Sequence, residues 1–353
     1  MKGQSRFFNF IRGDNMSRPN FENLLKVLNN EVPERPTLFE FALNMGLYEQ
    51  LADDKYLNYD DELGRMKFIV SAFLNAGYDF ATARITDFGI ADFDVHGGKS
   101  LSQFDHSQID DYQSFEEFPW PDPEEGSYHV YEEISEFLPE GAKLVVPGPG
   151  GVLENVIQLV SYEKLCLLIY DEPELVKEIF DAVGSRLLAY YQKCLEYDSV
   201  GAIISNDDWG FKTQTLLSPE DMRKYIFPWH KKIVDAAHNA GKPVILHSCG
   251  NLINIMDIII DELGYDGKHS FEDSIMPVEE AYDRWGERIA ILGGLDLNFV
   301  AKSKPEEITE RALKMLEKSA DKGGYALGTG NSVPDYIPDE NYFAMLKAIQ
   351  QFQ

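Results

Sequence analysis

The chain contains few cysteines, no long apolar run and few basic residues for its size. Its 353 residues include only three cysteines, Cys166, Cys194 and Cys249, which are too few and too scattered for a disulfide framework. No segment approaches the roughly 20 consecutive apolar residues of a membrane-spanning helix, and residues 1–15 lack the apolar core of a secretory signal. The sequence therefore predicts a cytoplasmic protein that does not span a membrane.

The shortage of basic residues leaves a strong net negative charge. Lysine and arginine number 32 against 60 aspartates and glutamates, so the formal net charge is -28. Such a charge repels phosphate backbones and anionic lipids, which argues against nucleic acid and membrane surfaces as partners. Because 44% of the residues are hydrophobic, the chain can still bury a large core, and we expect the acidic residues to form a solvated surface.

Eight short apolar runs alternate along the chain with longer segments of helical periodicity. The runs cover residues 36–42, 79–85, 143–148, 201–206, 243–248, 267–272, 289–294 and 324–330. Strand and helix in regular alternation predict parallel strands, and eight such units in a chain of this length are typical of an α/β fold, the (β/α)8 or TIM barrel. A doubly wound sheet is disfavoured because no glycine-rich phosphate loop follows the first run.

Local signals at helix ends support this division. Residues 174–197 carry apolar side chains at spacings of three and four, which predicts a helix that packs on the sheet. Ser218 followed by Pro219 predicts a capped helix start. Pro228 should break or kink the helix that begins there, because proline lacks a backbone donor and clashes with the preceding turn.

The domain boundaries follow from where the alternation holds. Residues 1–15 show no clear periodicity and are expected to be an N-terminal extension. Residues 16–353 are then expected to form a single TIM-barrel domain. Within it, residues 87–142 are acidic, aromatic and aperiodic, which predicts an insertion after the second strand.

Polar residues close several predicted strands, which is where a TIM barrel builds its active site. Asp207 and Asp208 follow the fourth run and are candidate catalytic residues, since such acids orient a substrate or donate a proton when burial keeps one of them neutral. The candidate substrate-binding residues are Glu40, Asn206, Trp209 and Asn331. The alternative is that each of these residues is a hydrogen-bonded member of a polar rim.

His247 and Cys249 close the fifth run, two positions apart. Strand side chains alternate, so both point the same way and can reach one ion. Imidazole and thiolate suit zinc, which in catalytic sites typically has about three protein ligands and one open position. The alternative is a neutral buried histidine beside a cysteine that packs as a small hydrophobic residue, and the spacing alone leaves both open. The other histidines lack a comparable context and are expected to be structural or solvated: His96, His106, His129, His230, His238 and His269.

Five segments resemble the uroporphyrinogen decarboxylase superfamily, and within it the corrinoid-linked methyltransferases, such as methylcobamide:coenzyme M methyltransferases and aromatic O-demethylase methyltransferases. The segments are NDDWGFKTQTLLSPEDMRKYIFP, VILHSCGN, SFEDSIMPVEEA, RIAILGGLD and GYALGTGNSVPDYIP. The resemblance covers residues 16–353 and implies a TIM barrel. It also implies that the His-x-Cys pair matching His247 and Cys249 binds zinc.

Two departures from these relatives refine the expectation. The decarboxylases carry an arginine-rich segment near the first strand that grips the substrate carboxylates, whereas residues 39–50 contain no arginine. The coenzyme M enzymes carry a second cysteine near the last strand, whereas LGTGNSVP contains none. Glu272, at the end of the sixth run, is our candidate for the third zinc ligand, because a carboxylate can complete such a set.

The resemblance therefore implies a zinc-dependent methyltransferase. It would move a methyl group between a small substrate, either a methyl ether or a thiol, and a corrinoid bound to a partner protein. Two alternatives stay open: a decarboxylase of the uroporphyrinogen type in porphyrin biosynthesis, and a non-catalytic barrel that binds a small molecule. A bound metal with an open coordination position would argue against the last of these.

Overall fold

The computed structural model describes residues 18–91 and 107–352. The predicted N-terminal extension, residues 1–15, lies outside the described residues, and so do His96, His106 and residues 92–106 of the predicted insertion. The described parts of the insertion are residues 87–91 and 107–142. They form no strand, and the second part contains only short helices before the next strand begins at Lys143.

Seven parallel strands form one sheet in the described residues, and they are ordered as they occur in the chain. The strands are β1 (Phe80–Thr82), β2 (Lys143–Pro147), β3 (Val200–Asn206), β4 (Val244–His247), β5 (Gly267–His269), β6 (Ala290–Leu292) and β7 (Tyr325–Ala326). Each overlaps one of the last seven predicted runs. Nearly all strand residues are buried, as expected for a parallel sheet covered on both faces.

The first predicted run, residues 36–42, differs from the prediction because it forms no full strand. It makes one parallel bridge, to Leu327 beside β7, where the backbone N–H of Phe39 donates to the carbonyl oxygen of Leu327 over 2.8 Å. Beside β1 the contact is made by a side chain, since Oγ1 of Thr82 donates to the carbonyl oxygen of Glu40 over 2.8 Å. The segment therefore contacts both edge strands of the sheet with too few backbone bonds for an eighth strand.

Helices separate the strands and cover the sheet. They are α1 (Glu22–Leu28), α2 (Met45–Leu51), α3 (Glu62–Ala76), α4 (Tyr112–Glu117), α5 (Val130–Glu133), α6 (Val152–Val160), α7 (Tyr162–Asp171), α8 (Pro173–Leu195), α9 (Pro219–Tyr225), α10 (Phe227–Asn239), α11 (Val278–Trp285), α12 (Leu297–Lys302), α13 (Pro305–Ser319) and α14 (Asp339–Phe352). Short 3-10 turns lie at Asp54–Tyr56, Pro123–Glu125, Ile134–Glu136 and Ile253–Ile255, and a π-helix lies at Ile258–Leu263. Among the described residues, no helix combines the length and apolarity needed to cross a bilayer.

The predicted helix signals are confirmed. Oγ of Ser218 accepts a hydrogen bond from the backbone N–H of Asp221 over 3.1 Å, and Pro219 is the first residue of α9. The helix breaks at Ile226, and Pro228 then occupies the second position of α10, where its missing donor costs nothing. Helix α8 covers nearly all of the predicted segment 174–197.

The register of the sheet brings three consecutive strand ends level with one another. Asn206 of β3 pairs with His247 of β4, which in turn pairs with His269 of β5. Register partners on parallel strands point to the same side of the sheet, so the two histidines are neighbours. The loops that follow β3 and β4, which carry Asp208 and Cys249, therefore leave the sheet side by side.

Candidate metal centre

The candidate centre is built around His247 and Cys249. Strand β4 ends at His247, and Cys249 follows the buried Ser248, whose backbone N–H donates to the carbonyl oxygen of His269 over 2.8 Å. The extended backbone turns both side chains the same way, and Nε2 of His247 lies 3.8 Å from Sγ of Cys249. Two ligands of one tetrahedral zinc ion lie about 3.6 Å apart at ordinary zinc–ligand bond lengths, so the pair fits a shared ion.

Asp208 completes a group of three potential ligands. Its Oδ1 accepts a hydrogen bond from the backbone N–H of Cys249 over 2.8 Å, which ties the loop after β3 to the loop after β4. One ligand atom each from Asp208, His247 and Cys249 lies within 4.8 Å of the other two. Across residues 18–91 and 107–352 this is the only such group, and Glu272, the predicted third ligand, is not a member of it.

Burial controls the protonation of these three groups. It raises the pKa of the Cys249 thiol and of the Asp208 carboxyl, and it lowers the pKa of His247. The charge of Asp208 raises the pKa of the thiol further. All three shifts favour the uncharged forms, because burial removes the water that would solvate a charge. A divalent cation bound among them would stabilise the thiolate and the carboxylate instead.

The other side of His247 contacts two rings. Phe41, from the first predicted run, stacks on the His247 ring with centroids 4.1 Å apart and planes 16° from parallel. Nδ1 of His247 lies 2.7 Å from Nδ1 of His269, and Nε2 of His269 lies 3.1 Å from the carbonyl oxygen of Thr329. His269 was expected only to be structural or solvated. The register of β4 beside β5 would have identified it as the neighbour of His247.

A second cluster lies at the end of β3 and is centred on the fully buried Asp207. Its Oδ1 accepts a hydrogen bond from the backbone N–H of Glu154 over 2.9 Å. Its Oδ2 accepts from the backbone N–H of Leu153 over 2.9 Å and from Nε1 of Trp209 over 2.8 Å, and Nε2 of His230 lies 2.9 Å away. We call Asp207, Trp209, His230 and the first turn of α6 the Asp207 cluster.

The Asp207 cluster caps helix α6. The first backbone N–H groups of a helix lack partners within it, and the carboxylate of Asp207 satisfies two of them from a neighbouring strand. Gly151 permits this approach, because a Cβ atom there would lie 2.2 Å from the side chain of Asp207. Trp209 is also completely buried. The polar contacts of Asp207 and Trp209 are thus made to the protein itself.

Asn206 and Glu154 contact the loop that follows β2. Oδ1 of Asn206 accepts a hydrogen bond from the backbone N–H of Gly148 over 2.9 Å, and Oε2 of Glu154 accepts from that of Gly151 over 2.7 Å. Burial, followed by the charge of Asp208, raises the pKa of Glu154. Glu154 was not predicted. The signal that could have found it is an acid three residues after the last glycine of GPGG, at the third position of a helix.

Glu40 and Asn331, both predicted to bind substrate, contact Thr329 and Cys249 respectively. Glu40 is fully buried; its Oε1 accepts a hydrogen bond from the backbone N–H of Thr329, and its Oε2 lies 2.8 Å from Oγ1 of Thr329. Burial raises the pKa of Glu40 to about 8. Nδ2 of Asn331 donates to Sγ of Cys249 over 3.1 Å. Asn331 therefore contacts the candidate centre directly, whereas the carboxyl of Glu40 contacts Thr329.

Lys268 is a buried cation that sequence reasoning did not identify. Its Nζ donates to the carbonyl oxygens of Ser248 and Ser270 over 3.3 and 2.6 Å, which joins the ends of β4 and β5. Burial lowers the pKa of Lys268 to about 8, while the charges of Cys249 and Asp208 oppose that shift. The lysine thus places a positive charge close to the candidate centre.

Most of the chain matches the model of one known protein family. Residues 87–352 match the family described as Uroporphyrinogen decarboxylase (URO-D). A curated protein named Uroporphyrinogen decarboxylase from Hydrogenovibrio crunogenus is 27% identical over 198 residues, which are 54% of this chain and 52% of that protein. Methylcobamide:CoM methyltransferase MtbA from Methanosarcina acetivorans is 26% identical over 186 residues, which are 52% of each chain. The chain thus spans about half the length of these two curated relatives.

A solved structure shares the fold. The methyltransferase from Methanosarcina mazei superposes with a TM-score of 0.69 over 95% of this chain and 99% of that chain. The sequence identity is 15%, so this likeness concerns the fold alone.

Proposed function

The chain belongs to the uroporphyrinogen decarboxylase (URO-D) family, and on that premise we propose that it transfers a methyl group between a small substrate and a corrinoid bound to a partner protein. We propose zinc as its metal cofactor. The observation that carries this proposal is the group of Asp208, His247 and Cys249, whose ligand atoms lie within 4.8 Å of one another. A relative named for methylcobamide:CoM methyl transfer supports the reaction class.

The donor set fits zinc. One imidazole nitrogen, one thiolate and one carboxylate are all ordinary zinc ligands, and three protein ligands leave a position open, as catalytic sites require. We propose Asp208 as the third ligand in preference to Glu272, because only Asp208 belongs to the compact group. When bound, zinc would polarise the oxygen or sulfur atom that carries the methyl group.

Neighbouring residues would hold the three proposed zinc ligands in place. The bond from the backbone N–H of Cys249 to Asp208 keeps the two ligand-bearing loops together. The hydrogen bond from Nδ2 of Asn331 stabilises negative charge on the sulfur of Cys249. Phe41 covers one face of the His247 ring and limits its movement.

We propose a methyl ether as the substrate class in preference to a thiol. A set with one thiolate and one carboxylate is harder than a set with two thiolates, and it leaves the metal more electrophilic toward oxygen. The methyl group would pass to Co(I) of the corrinoid. In that step the oxygen–carbon bond breaks, a cobalt–carbon bond forms, cobalt becomes Co(III), and the departing alkoxide takes up one proton.

The second candidate is decarboxylation of a porphyrinogen, because several relatives carry that name. Residues 39–50 contain no arginine to match the substrate carboxylates. A buried carboxylate without a charge-assisted partner costs several kcal/mol. We therefore expect no coproporphyrinogen to form from uroporphyrinogen in an anaerobic assay, and its formation would favour this second candidate.

We also propose that residues 36–42, although they form no full strand, occupy the position of the eighth strand and close the sheet into a (β/α)8 barrel. Their bridge to Leu327, next to β7, and the hydrogen bond from Thr82 of β1 to Glu40 support this proposal. Continuous backbone pairing on both sides of this segment in a crystal structure would establish closure.

The function is tested with zinc-loaded protein and free cob(I)alamin as the methyl acceptor. We expect methylcobalamin to form from one or more members of a panel of aryl and alkyl methyl ethers. Formation should be lost in Cys249→Ala and retained in Cys166→Ala, a matched variant of a half-buried cysteine on α7. A zinc-loaded wild type that neither demethylates any ether nor methylates a thiol from methylcobalamin would contradict the proposal.

A further inference from the structure

A chain of buried hydrogen-bonding groups leads away from the candidate centre through His247. The order is His247, His269, Thr329 and Glu40, and all four residues are buried. The four residues come from β4, from β5, from the segment after β7 and from the first predicted run. These hydrogen-bonding contacts thus connect distant parts of the sequence to the imidazole ring of His247.

The carbonyl oxygen of Thr329 fixes the position of the proton on His269. A carbonyl oxygen only accepts hydrogen bonds, so Nε2 of His269, 3.1 Å away, must donate and therefore carries the hydrogen. His269 is fully buried, and its ring nitrogens contact a carbonyl oxygen and another imidazole, neither of which carries a negative charge, so the ring is neutral and holds a single N–H. Nδ1 of His269 consequently carries a lone pair and no hydrogen.

That lone pair in turn fixes His247. Nδ1 of His247 lies 2.7 Å from Nδ1 of His269, and two facing lone pairs would repel at that distance, so Nδ1 of His247 must donate. The His247 ring is buried as well and stacks on Phe41, so it too is neutral and holds only this one N–H. Its Nε2, 3.8 Å from Sγ of Cys249, is therefore the bare nitrogen.

The His269 ring is held so that it cannot easily rotate away. A Cβ atom at Gly293 would lie 2.9 Å from Cδ2 of His269 and 3.0 Å from Nε2, so this glycine makes room for the ring. Phe39 packs on it with ring centroids 5.2 Å apart. Thr329 is held by Glu40 through its backbone N–H over 2.8 Å.

We propose that His269 is a positioning residue that fixes the tautomer of His247, so that Nε2 faces Cys249 as a free ligand for a divalent cation. A histidine held this way is presented to the metal without having to lose or move a proton. The consequence for zinc rests on the proposed function, whereas the tautomer itself is a property of the metal-free protein.

The tautomers are measured first, in metal-free wild type labelled with 15N-histidine, by long-range 1H–15N correlation. We expect a buried ring protonated at Nε2 that disappears in His269→Gln, and a ring protonated at Nδ1 that disappears in His247→Gln. The buried His230, whose Nε2 lies 2.9 Å from the Asp207 carboxylate, should give an Nε2-protonated signal that remains in both variants. A proton on Nε2 of His247 would overturn the proposal whether or not any variant folds.

Zinc affinity is measured next, by competition with a chelator. Loss of an outer partner of a ligating histidine typically costs about 10–100-fold in affinity, and we expect this for His269→Leu. His269→Gln should recover part of the loss, because its amide oxygen can accept from His247 while its amide nitrogen donates to Thr329. Tyr78→Phe is the matched control, since it deletes a buried ring-to-ring hydrogen bond, from Tyr78 to Tyr342 over 2.8 Å, in which none of the four residues takes part.

These outcomes separate the two proposals. Wild-type affinity in His269→Leu, or an equal loss in Tyr78→Phe, would overturn the role of His269 while leaving the methyltransferase proposal intact. Zinc binding that depends on His269, in a protein that transfers no methyl group, would overturn the methyltransferase proposal while leaving the role of His269 intact.

Discussion

Asp207 and Asp208 are consecutive residues at the end of one strand, yet their surroundings are opposite. Asp207 accepts three N–H groups from α6 and Trp209 and lies beside His230, so its bonding capacity is used within the fold. Asp208 accepts one backbone N–H, from Cys249, and its carboxylate belongs to the group of potential metal ligands. Asp207 is fully buried and Asp208 is half-buried, so two adjacent acids of the same type serve the fold and the site separately.

The difference arises from the alternation of side chains at a strand end. One residue of the pair points toward the start of α6 and the next toward the loop after β4, where Cys249 lies. Sequence reasoning treated the two acids as equivalent catalytic candidates, because nothing in the letters DD distinguishes them.

The largest effect is expected for Asp207→Asn. The substitution places an amide N–H group against N–H donors and removes the partner of His230, so buried donors lose their acceptors. We expect the free energy of unfolding to fall by about 3–5 kcal/mol, the usual cost of breaking a buried pair. Urea denaturation measures this change. A loss under about 1 kcal/mol, the net worth of one ordinary hydrogen bond, would show that the cluster does not support the fold.

Asp208→Asn should affect metal binding instead. Removal of one of three ligands is expected to weaken zinc binding at least about tenfold, because even an outer-shell partner contributes that much. The free energy of unfolding of the metal-free protein should change much less than in Asp207→Asn. Glu272→Gln is the matched control, since it removes the same charge from a carboxylate that also lies near Lys268. If the Glu272 variant loses affinity and the Asp208 variant does not, our choice of third ligand is wrong.

A further carboxyl, the fully buried Glu40, sharpens the comparison because its surroundings favour the protonated form. Oγ1 of Thr329 lies 2.8 Å from Oε2 of Glu40 and 2.6 Å from the carbonyl oxygen of Asn331. The hydroxyl of Thr329 has a single hydrogen. If it donates that hydrogen to the carbonyl oxygen of Asn331, its contact with Oε2 of Glu40 requires a proton on Glu40. Burial raises the pKa of Glu40 from 4.5 to about 8, so between these values the unfolded chain binds fewer protons than the folded one. The free energy of unfolding therefore falls as pH rises through this window.

Glu40→Gln should abolish that dependence, because an amide reproduces the donor and acceptor of the protonated acid. Relative to this variant, wild type should lose stability between pH 6.5 and 7.5 by at most about 1.4 kcal/mol, the limit for one proton per pH unit. Urea denaturation of both proteins at the two pH values measures the difference. Parallel pH profiles would mean that Glu40 is ionised in the folded state.

Local features of the fold were predictable from the sequence. The cap at Ser218 and the break before Pro228 depend on a few neighbouring residues, and the structure confirms both. Seven strands lie at the predicted runs. The run at residues 36–42 was not distinguishable from them, because its pairing depends on Leu327, nearly 300 residues away.

The candidate site was predictable only where strand alternation applies. That rule brought His247 and Cys249 together. The same rule could not favour Asp208 over Glu272 as the third metal ligand, because the position of Asp208 depends on a hydrogen bond between two loops. His269 was missed for a similar reason, since its contact with His247 exists only once β4 and β5 are in register.

The central claim, that Asp208, His247 and Cys249 together bind one zinc ion, is tested most directly by X-ray absorption spectroscopy at the zinc edge of protein loaded with one equivalent. We predict one sulfur ligand at about 2.3 Å and the remaining ligands as nitrogen or oxygen at about 2.0–2.2 Å, with the sulfur lost in Cys249→Ala. A spectrum with no sulfur ligand, or with two, would contradict it.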